Sequence, residues 1–248
     1  MILWNGGLPR SGKTYDAVTR HILGALRKGR SVDAFVDGLD HVRIAGAAGI
    51  TVERCRELLV SLTEADLARI WEVTRNNALV VLDEAQDFWP NRARMGPEMT
   101  KFVTQHGHRG QDLLLMGQDF RDVHVLFRRR IAMRFEFLKL DALGKDHRYS
   151  VTTYRHRGGD DEPTLVGTQQ CVYDAKLFGL YASHTGADVQ TENYKDGRAS
   201  VWAQPVIKYG VPASVVLAIV GGWYMWRFFS GEALKGNAPA SVAAAASG

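Results

Sequence analysis

Gly7-Leu8-Pro9-Arg10-Ser11-Gly12-Lys13-Thr14 fits the pattern GxxxxGK[ST] at every fixed position. It lies between a short apolar run, Ile2 to Trp4, and a stretch with helical spacing, Lys13 to Lys28. That order of strand, glycine-rich turn and helix narrows the possible folds more than any other feature of the chain. Glycines let such a turn aim backbone N–H groups at phosphate oxygens, and the start of the following helix adds partial positive charge. Lys13 then reaches the terminal phosphates, and Thr14 is placed to ligate Mg²⁺. The candidate nucleotide contacts are Gly7, Leu8, Pro9, Arg10, Ser11, Gly12, Lys13, Thr14 and Tyr15, with ATP and Mg²⁺ as the expected ligands.

Hydrolysis needs a second piece, because a bound phosphate alone does no chemistry. The run Ala78 to Leu82 is an apolar strand that ends in Asp83 and Glu84. There Asp83 can hold magnesium through water, and Glu84 can orient and polarise an attacking water. In open α/β sheets ligands collect at the carboxyl ends of strands, so both acids belong beside the nucleotide. A third apolar run, Asp112 to Met116, is followed by Gly117, Gln118 and Asp119. Gln118 is either a sensor beside the γ-phosphate or part of a plain turn. The segment Gln105-His106-Gly107-His108-Arg109-Gly110 follows a helix. It could place Arg109 or His108 across a subunit boundary as a charge-stabilising finger, or be a solvated basic loop. The catalytic candidates are Lys13, Glu84, Gln118 and Arg109, and the metal candidates are Thr14 and Asp83.

The first 120 residues alternate apolar runs with helical stretches, the pattern of a parallel α/β sheet. A strand is expected over Ser31 to Val36, helical segments over Val52 to Val73, and a helix over Pro97 to His106. From Arg130 the texture becomes strand-like (MRFEFLKL, YSVTTYRH, TLVGTQQCVYD), with a subdivision possible near Leu140 and a polar loop over Leu180 to Ala199. The fold class is therefore α/β: a P-loop NTPase with a mostly parallel sheet flanked by helices, a β-rich later part and one transmembrane helix. The span is Val211 to Phe229, apolar except for Ser214 and Arg227. Its 19 residues cover roughly 29 Å, the thickness of one bilayer core. Tyr209, Trp223, Tyr224 and Trp226 lie toward its ends, as interfacial aromatics do. The organisation expected is a cytoplasmic body over residues 1–208, the span over 211–229, and a flexible tail rich in Ala, Gly and Ser over 230–248.

At 248 residues with 46% hydrophobic content, the chain can bury an ordinary core. A net charge of +4 suits an anionic partner without choosing among nucleotide, nucleic acid and lipid. Cys55 and Cys171 stand far apart with no zinc-like spacing, which excludes a disulfide scaffold and a structural zinc site. Nothing at the start reads as a cleaved signal, so the N-terminal body is expected in the cytoplasm and the C-terminus in the periplasm. Local charge agrees slightly: Lys195, Arg198 and Lys208 precede the span, and Arg227 and Lys235 follow it.

Several of these features occur together: the loop on the first strand, Asp83-Glu84-Ala85-Gln86, the run Phe88-Trp89-Pro90, the HGHRG turn, the stretch Tyr173 to His184 and the late span. In this the chain resembles the zonula occludens toxin family, which includes the protein I morphogenesis ATPases of filamentous bacteriophages. The resemblance covers most of residues 1 to about 230. It implies an ATP-driven assembly protein of the host inner membrane, related to the additional-strand class of P-loop motors that pump DNA. Such a protein works as an oligomeric ring that extrudes phage single-stranded DNA while coat proteins, and other phage assembly proteins, are engaged. Gly7 to Thr14 match the family's nucleotide loop, Asp83 and Glu84 its acidic pair, and Arg109 falls in its recognisable turn. The region Arg30 to Leu39 lacks the Thr-Asn before a Pro-Gly turn expected of the family. The stretch after the span is read as too short for the periplasmic domain of longer members, so neither toxin activity nor outer-membrane docking carries over. The competing reading is a nucleotide-dependent assembly switch or membrane adaptor with little turnover.

Overall fold

The computed structural model describes residues 1–141, 147–157, 162–182 and 205–230, in two compact units, Met1–Tyr194 and Lys195–Gly248. In the first unit eight strands form one sheet: β1 (Ile2–Gly6), β2 (Val32–Phe35), β3 (Leu59–Ser61), β4 (Leu79–Leu82), β5 (Asp112–Gly117), β6 (Ile131–Lys139), β7 (Arg148–Arg155) and β8 (Thr164–Val172). Their spatial order is β3-β2-β4-β5-β1-β6-β7-β8. The pairings from β3 through β6 are parallel, and β7 and β8 are added antiparallel. One strand, β5, therefore separates the strand before the glycine-rich turn from the strand that ends in Asp83.

The central strands are apolar on both sides because helices cover both faces. Side chains alternate with the pleat: Ile2, Trp4, Val80, Leu82, Leu113 and Leu115 face one layer, and Leu3, Leu79, Val81, Leu114 and Met116 face the other. Burying each such side chain contributes about 1.5–3 kcal/mol. On one face the covering helical chain runs without a break through Lys13–Asp16, Ala17–Ile22 and Leu23–Arg27, burying Val18, Ile22, Leu23 and Leu26. Beside it lies His41–Ala48, capped by Asp40, whose carboxylate accepts from the N–H groups of Val42 and Arg43. On the other face Pro97–Gln105 starts with Pro at its first turn and buries Met99, Phe102 and Val103, a spacing of three and four that defines one stripe.

Three expectations change. Val52 to Val73 is not all helical: after the helix Val52–Leu58, residues Leu59–Ser61 pair with β2 as an edge strand. A three-residue strand is too short to leave an alternation in the sequence, and the free edge of β2 decides it. The chain does not divide near Leu140, because β6 pairs with β1 and β7 with β6 in the same sheet. Leu180, read as the start of a polar loop, is buried in the core. The rest of that loop from residue 183, the charges Lys195, Arg198 and Lys235, and the tail from residue 231 lie outside the described residues. In the second unit the helix Pro205–Phe229 starts ahead of Val211, with Pro212 inside it. Its stretch Ile207–Phe229 is long and apolar enough to cross a membrane.

At the amino-terminal edge of the sheet a buried carboxylate is paired with a half-buried arginine. Asp33 on β2 is 1% exposed and meets Arg75 at 2.6 Å. Arg75 also donates to the carbonyls of Val32, Glu57 and Leu58, joining the entries to β2 and β3. Removing one partner of such a pair strands a buried charge at a cost of about 3–5 kcal/mol. Arg75→Met is expected to lower the melting temperature of the full chain sharply, and Asp33→Leu combined with it to recover part of the loss.

Candidate nucleotide-binding site

Gly7 to Thr14 leave the carboxyl end of β1. Gly7 N–H donates to the Gly117 carbonyl at 3.3 Å, so the turn starts as a continuation of the β1–β5 ladder. Gly7 (φ 147) and Gly12 (φ 107) occupy the left-handed half of backbone space. A Cβ on Gly7 would collide with the Phe137 carbonyl, and one on Gly12 with the Tyr173 hydroxyl. Asn5, fully buried on β1, supports the loop from below through its side-chain amide and the Lys13 carbonyl, 3.5 Å apart. Asp16 N–H then donates to the Gly12 carbonyl and the helix begins.

Lys13 is 6% exposed, and its Nζ donates to the Gly7 carbonyl at 2.7 Å. Burial pushes its ammonium below the ordinary lysine value, against the raising pull of Glu84, Asp83 and Glu136. Across the cavity, Thr14 Oγ1 donates to Asp83 Oδ2 at 3.1 Å. Burial raises the Asp83 carboxyl above its usual range and Glu84 adds to the rise. Hydrogen bonds from Glu84 N–H and Thr14 and the charge of Lys13 oppose it. Glu136, at the register position of Gly6, is likewise raised by burial, with Arg134 opposing.

Lys13, Thr14 and Asp83 line a cavity of about 300 Å³ bounded by Pro9 to Tyr15, Val36, Asp37, Asp83, Glu84, Tyr181 and Ala182. Of the expected contacts, Gly7 lies beneath the loop as the acceptor for Lys13, and Leu8 points out, 69% exposed. Gln118 is exposed just past β5 and is not among the lining residues. Arg109 precedes β5 and so lies at the opposite edge of the sheet. There it donates to Asn76 Oδ1 and to the carbonyls of Trp71 and Thr74. Among the described residues no group of three or more His, Cys, Asp or Glu side chains is arranged to hold a metal ion. A divalent cation fits the site differently. The Thr14 hydroxyl and the Asp83 carboxylate already converge, burial leaves that carboxylate poorly solvated, and Mg²⁺ ordinarily completes its shell with waters and substrate phosphates.

Sequence reasoning used the stretch Tyr173 to His184 for the family resemblance and did not place residues 173–182 as a wall of the site. Asp174 N–H donates to Tyr15 Oη at 2.8 Å, and Ala182 N–H donates to the Asp37 and Gly38 carbonyls. Tyr173 packs on Tyr149 and Tyr15 with ring centroids 4.6 and 5.1 Å apart. The Tyr181 hydroxyl is pushed up to about 12 by burial first, then by Asp83 and Tyr15. The available signal was the aromatic spacing of Tyr173, Phe178 and Tyr181, which has no period that points to a partner.

A mostly parallel sheet with helices on both faces, a GxxxxGK[ST] turn after β1 and an acid pair after β4 define a P-loop NTPase fold. Within that class the chain belongs to the zonular occludens toxin (Zot) family, whose sequence profile matches residues 1–187. It is 33% identical over 256 residues to the Gene 1 protein of Xanthomonas phage phiLf, covering 98% of this chain and 58% of that protein. It is 24% identical over 201 residues to the zona occludens toxin of Vibrio cholerae serotype O1, covering 72% of this chain and 50% of that one. The chain thus spans about half the length of these curated relatives. The N-terminal domain of zonular occludens toxin from Neisseria meningitidis has the same fold, with a TM-score of 0.50 at 19% identity. The match covers 73% of this chain and 98% of that domain.

Tyr15→Phe removes the acceptor of the Asp174 N–H, a loss of about 1–2 kcal/mol. Amide exchange over residues 173–182 is expected to quicken while β1, β4 and β5 keep their protection, a pattern readable by hydrogen-exchange mass spectrometry.

Proposed function

We propose that the chain is a membrane-anchored ATPase that drives assembly and extrusion of filamentous phage through the host inner membrane. The observation that carries this reading is the convergence of Lys13, the Thr14–Asp83 hydrogen bond and Glu84 on one cavity. The phage origin of the phiLf relative and the apolar helix Ile207–Phe229 support the setting.

In this mechanism the loop from Gly7 to Tyr15 binds the phosphates, and Lys13 exchanges the Gly7 carbonyl for a terminal phosphate oxygen. Thr14 and Asp83 would hold Mg²⁺, which would supply charge to offset the negative charge that develops during transfer. Glu84 orients the water for in-line attack on the γ-phosphate and accepts its proton. Gln118, at the tip of β5, senses the γ-phosphate once the site closes. Arg109 serves the site of a neighbouring subunit in a ring, because its own sheet lies between it and its own phosphate loop. The working partners are further copies of this chain, phage single-stranded DNA, coat proteins and other phage assembly proteins. Residues 1–208 form the cytoplasmic body, 211–229 the single crossing and 230–248 a periplasmic tail.

The test is ATP hydrolysis by the detergent-solubilised full chain as a function of protein concentration. The rate per subunit is expected to rise with concentration as neighbours complete each other's sites. Lys13→Ala and Glu84→Gln are each expected to lower turnover about 100-fold or more, with Glu84→Gln still binding ATP. Turnover in Lys13→Ala equal to wild type would sink the motor reading. Measurable ATP binding with a flat rate near that of Lys13→Ala would replace it with a nucleotide switch.

A further inference from the structure

Gln86 lies two residues beyond Glu84, on the first turn of the short helix Ala85–Phe88. Its Nε2 donates to Glu84 Oε2 at 2.7 Å. Its other amide atom, Oε1, is buried with no hydrogen-bond partner among the described residues. That oxygen is wedged against the tip of β5: a Cβ on Gly117 would collide with it and with the Trp4 ring. Glycine at 117 is therefore what lets the Gln86 amide lie between the strand end and Glu84.

Glu84 is also constrained from its other side. Its backbone sits in the left-handed region (φ 45, ψ 47), a conformation that costs a residue with a Cβ on the order of 1 kcal/mol. Its N–H donates to Asp83 Oδ1 at 3.0 Å. The turned backbone fixes where the side chain leaves the chain, but the torsions beyond Cα stay free. Among the hydrogen bonds of the described residues, the one from Gln86 is made to the carboxylate itself. It occupies Oε2 and leaves Oε1 as the acceptor for a water proton.

The geometry points to Gln86 as the positioning residue of Glu84: its amide N–H holds the carboxylate at the phosphate cavity, with its carbonyl end packed against Gly117 at the tip of β5. This rests on the reading of Glu84 as the group that orients the attacking water. Gln86 moves no proton itself, since a primary amide stays neutral. Its effect belongs on the chemical step and not on nucleotide binding, because neither of its amide atoms lines the loop from Pro9 to Tyr15. Freeing the carboxylate to swing by an ångström is the kind of misplacement that costs about 10- to 100-fold in rate.

Gln86→Met keeps the length and packing of the side chain and removes the donor. In the full chain in detergent, kcat for ATP is expected to fall about 10- to 100-fold while KM and affinity for a non-hydrolysable ATP analogue stay within about twofold. The melting temperature stays that of wild type. In a Glu84→Gln background the same substitution changes the residual rate by less than about twofold, because a residue that acts through Glu84 has nothing left to act on. An unchanged kcat in Gln86→Met overturns the inference, as does an equal loss in the Glu84→Gln background. Falling analogue affinity and melting temperature alongside kcat would make Gln86 structural and overturn it as well. Wild-type turnover in Glu84→Gln strikes the reading of Glu84 itself. An inactive Glu84→Gln beside a fully active Gln86→Met strikes this inference alone.

Discussion

A largely buried lysine follows the turn that leaves a fully buried strand, and much of the molecule is arranged around that charge. An isolated ammonium in such a place loses its solvation, and the lowered proton affinity of Lys13 records it. The Gly7 carbonyl takes one of its donors. The rest of the compensation is long-range, from acids on two other strands: Asp83 and Glu84 after β4, and Glu136 on β6. Those strands flank the β5–β1 pair, one on each side, so the charge can be tolerated only in the assembled sheet. The converse holds for the acids, since burial raises Asp83 and Glu136 together. Such a pocket strains both signs of charge, and the anionic phosphates and divalent cation of the proposed nucleotide would relieve both.

Closing the pocket falls to a part of the chain remote in sequence. Tyr15, on the first helix, accepts from Asp174, 159 residues later. The antiparallel extension β6-β7-β8 makes this possible. It carries the chain out from β1 and returns it, so that Tyr173 lies over Gly12 and Ala182 reaches Asp37 and Gly38 at the end of β2. The later strands are thus continuous with the nucleotide site, and the aromatic cluster of Tyr15, Phe137, Tyr149 and Tyr173 is the joint.

What was legible in the sequence is what local chemistry dictates. The glycine-rich turn, the acids at the end of an apolar strand and the continuous apolar runs each follow from a residue's own neighbours, and the sheet contains them. β3 was illegible because three residues hold too little pattern, and an unpaired edge of β2 settles their conformation. The joining of β6 to β1 could not be seen because parallel pairing leaves no turn signal between partners. Tyr181, Asp37 and Gln86 were missed for a common reason: each acquires its role from a contact across the fold or around a tight turn, and none of these residue types is unusual where it stands. Gln86 was visible within the motif Asp83-Glu84-Ala85-Gln86. Its role depends on Gly117, which the sequence places far away.

The two edges of the sheet use cations in opposite ways. At the carboxyl edge Lys13 donates to one carbonyl among the described residues, that of Gly7, and can be drawn to a better acceptor. At the amino edge three arginines are committed to the fold. Arg30 joins the Asn77, Ala78 and Gly110 carbonyls to Asp112, Arg75 joins β2 to β3, and Arg109 ties the loop around Trp71 to Asn76 to the entry of β5. This division bears on the finger role proposed for Arg109. A guanidinium with five donors can keep part of such a set and turn the remainder outward. The acceptors it would give up are neutral, two carbonyls and an amide oxygen, whereas a phosphate is itself charged and can take two parallel N–H bonds from one guanidinium. In the proposed ring, a neighbour's nucleotide would compete with the resting contacts of Arg109 for its guanidinium. Such an exchange would loosen the Trp71 to Asn76 loop, and the amino edge of one subunit would respond to the occupancy of the next.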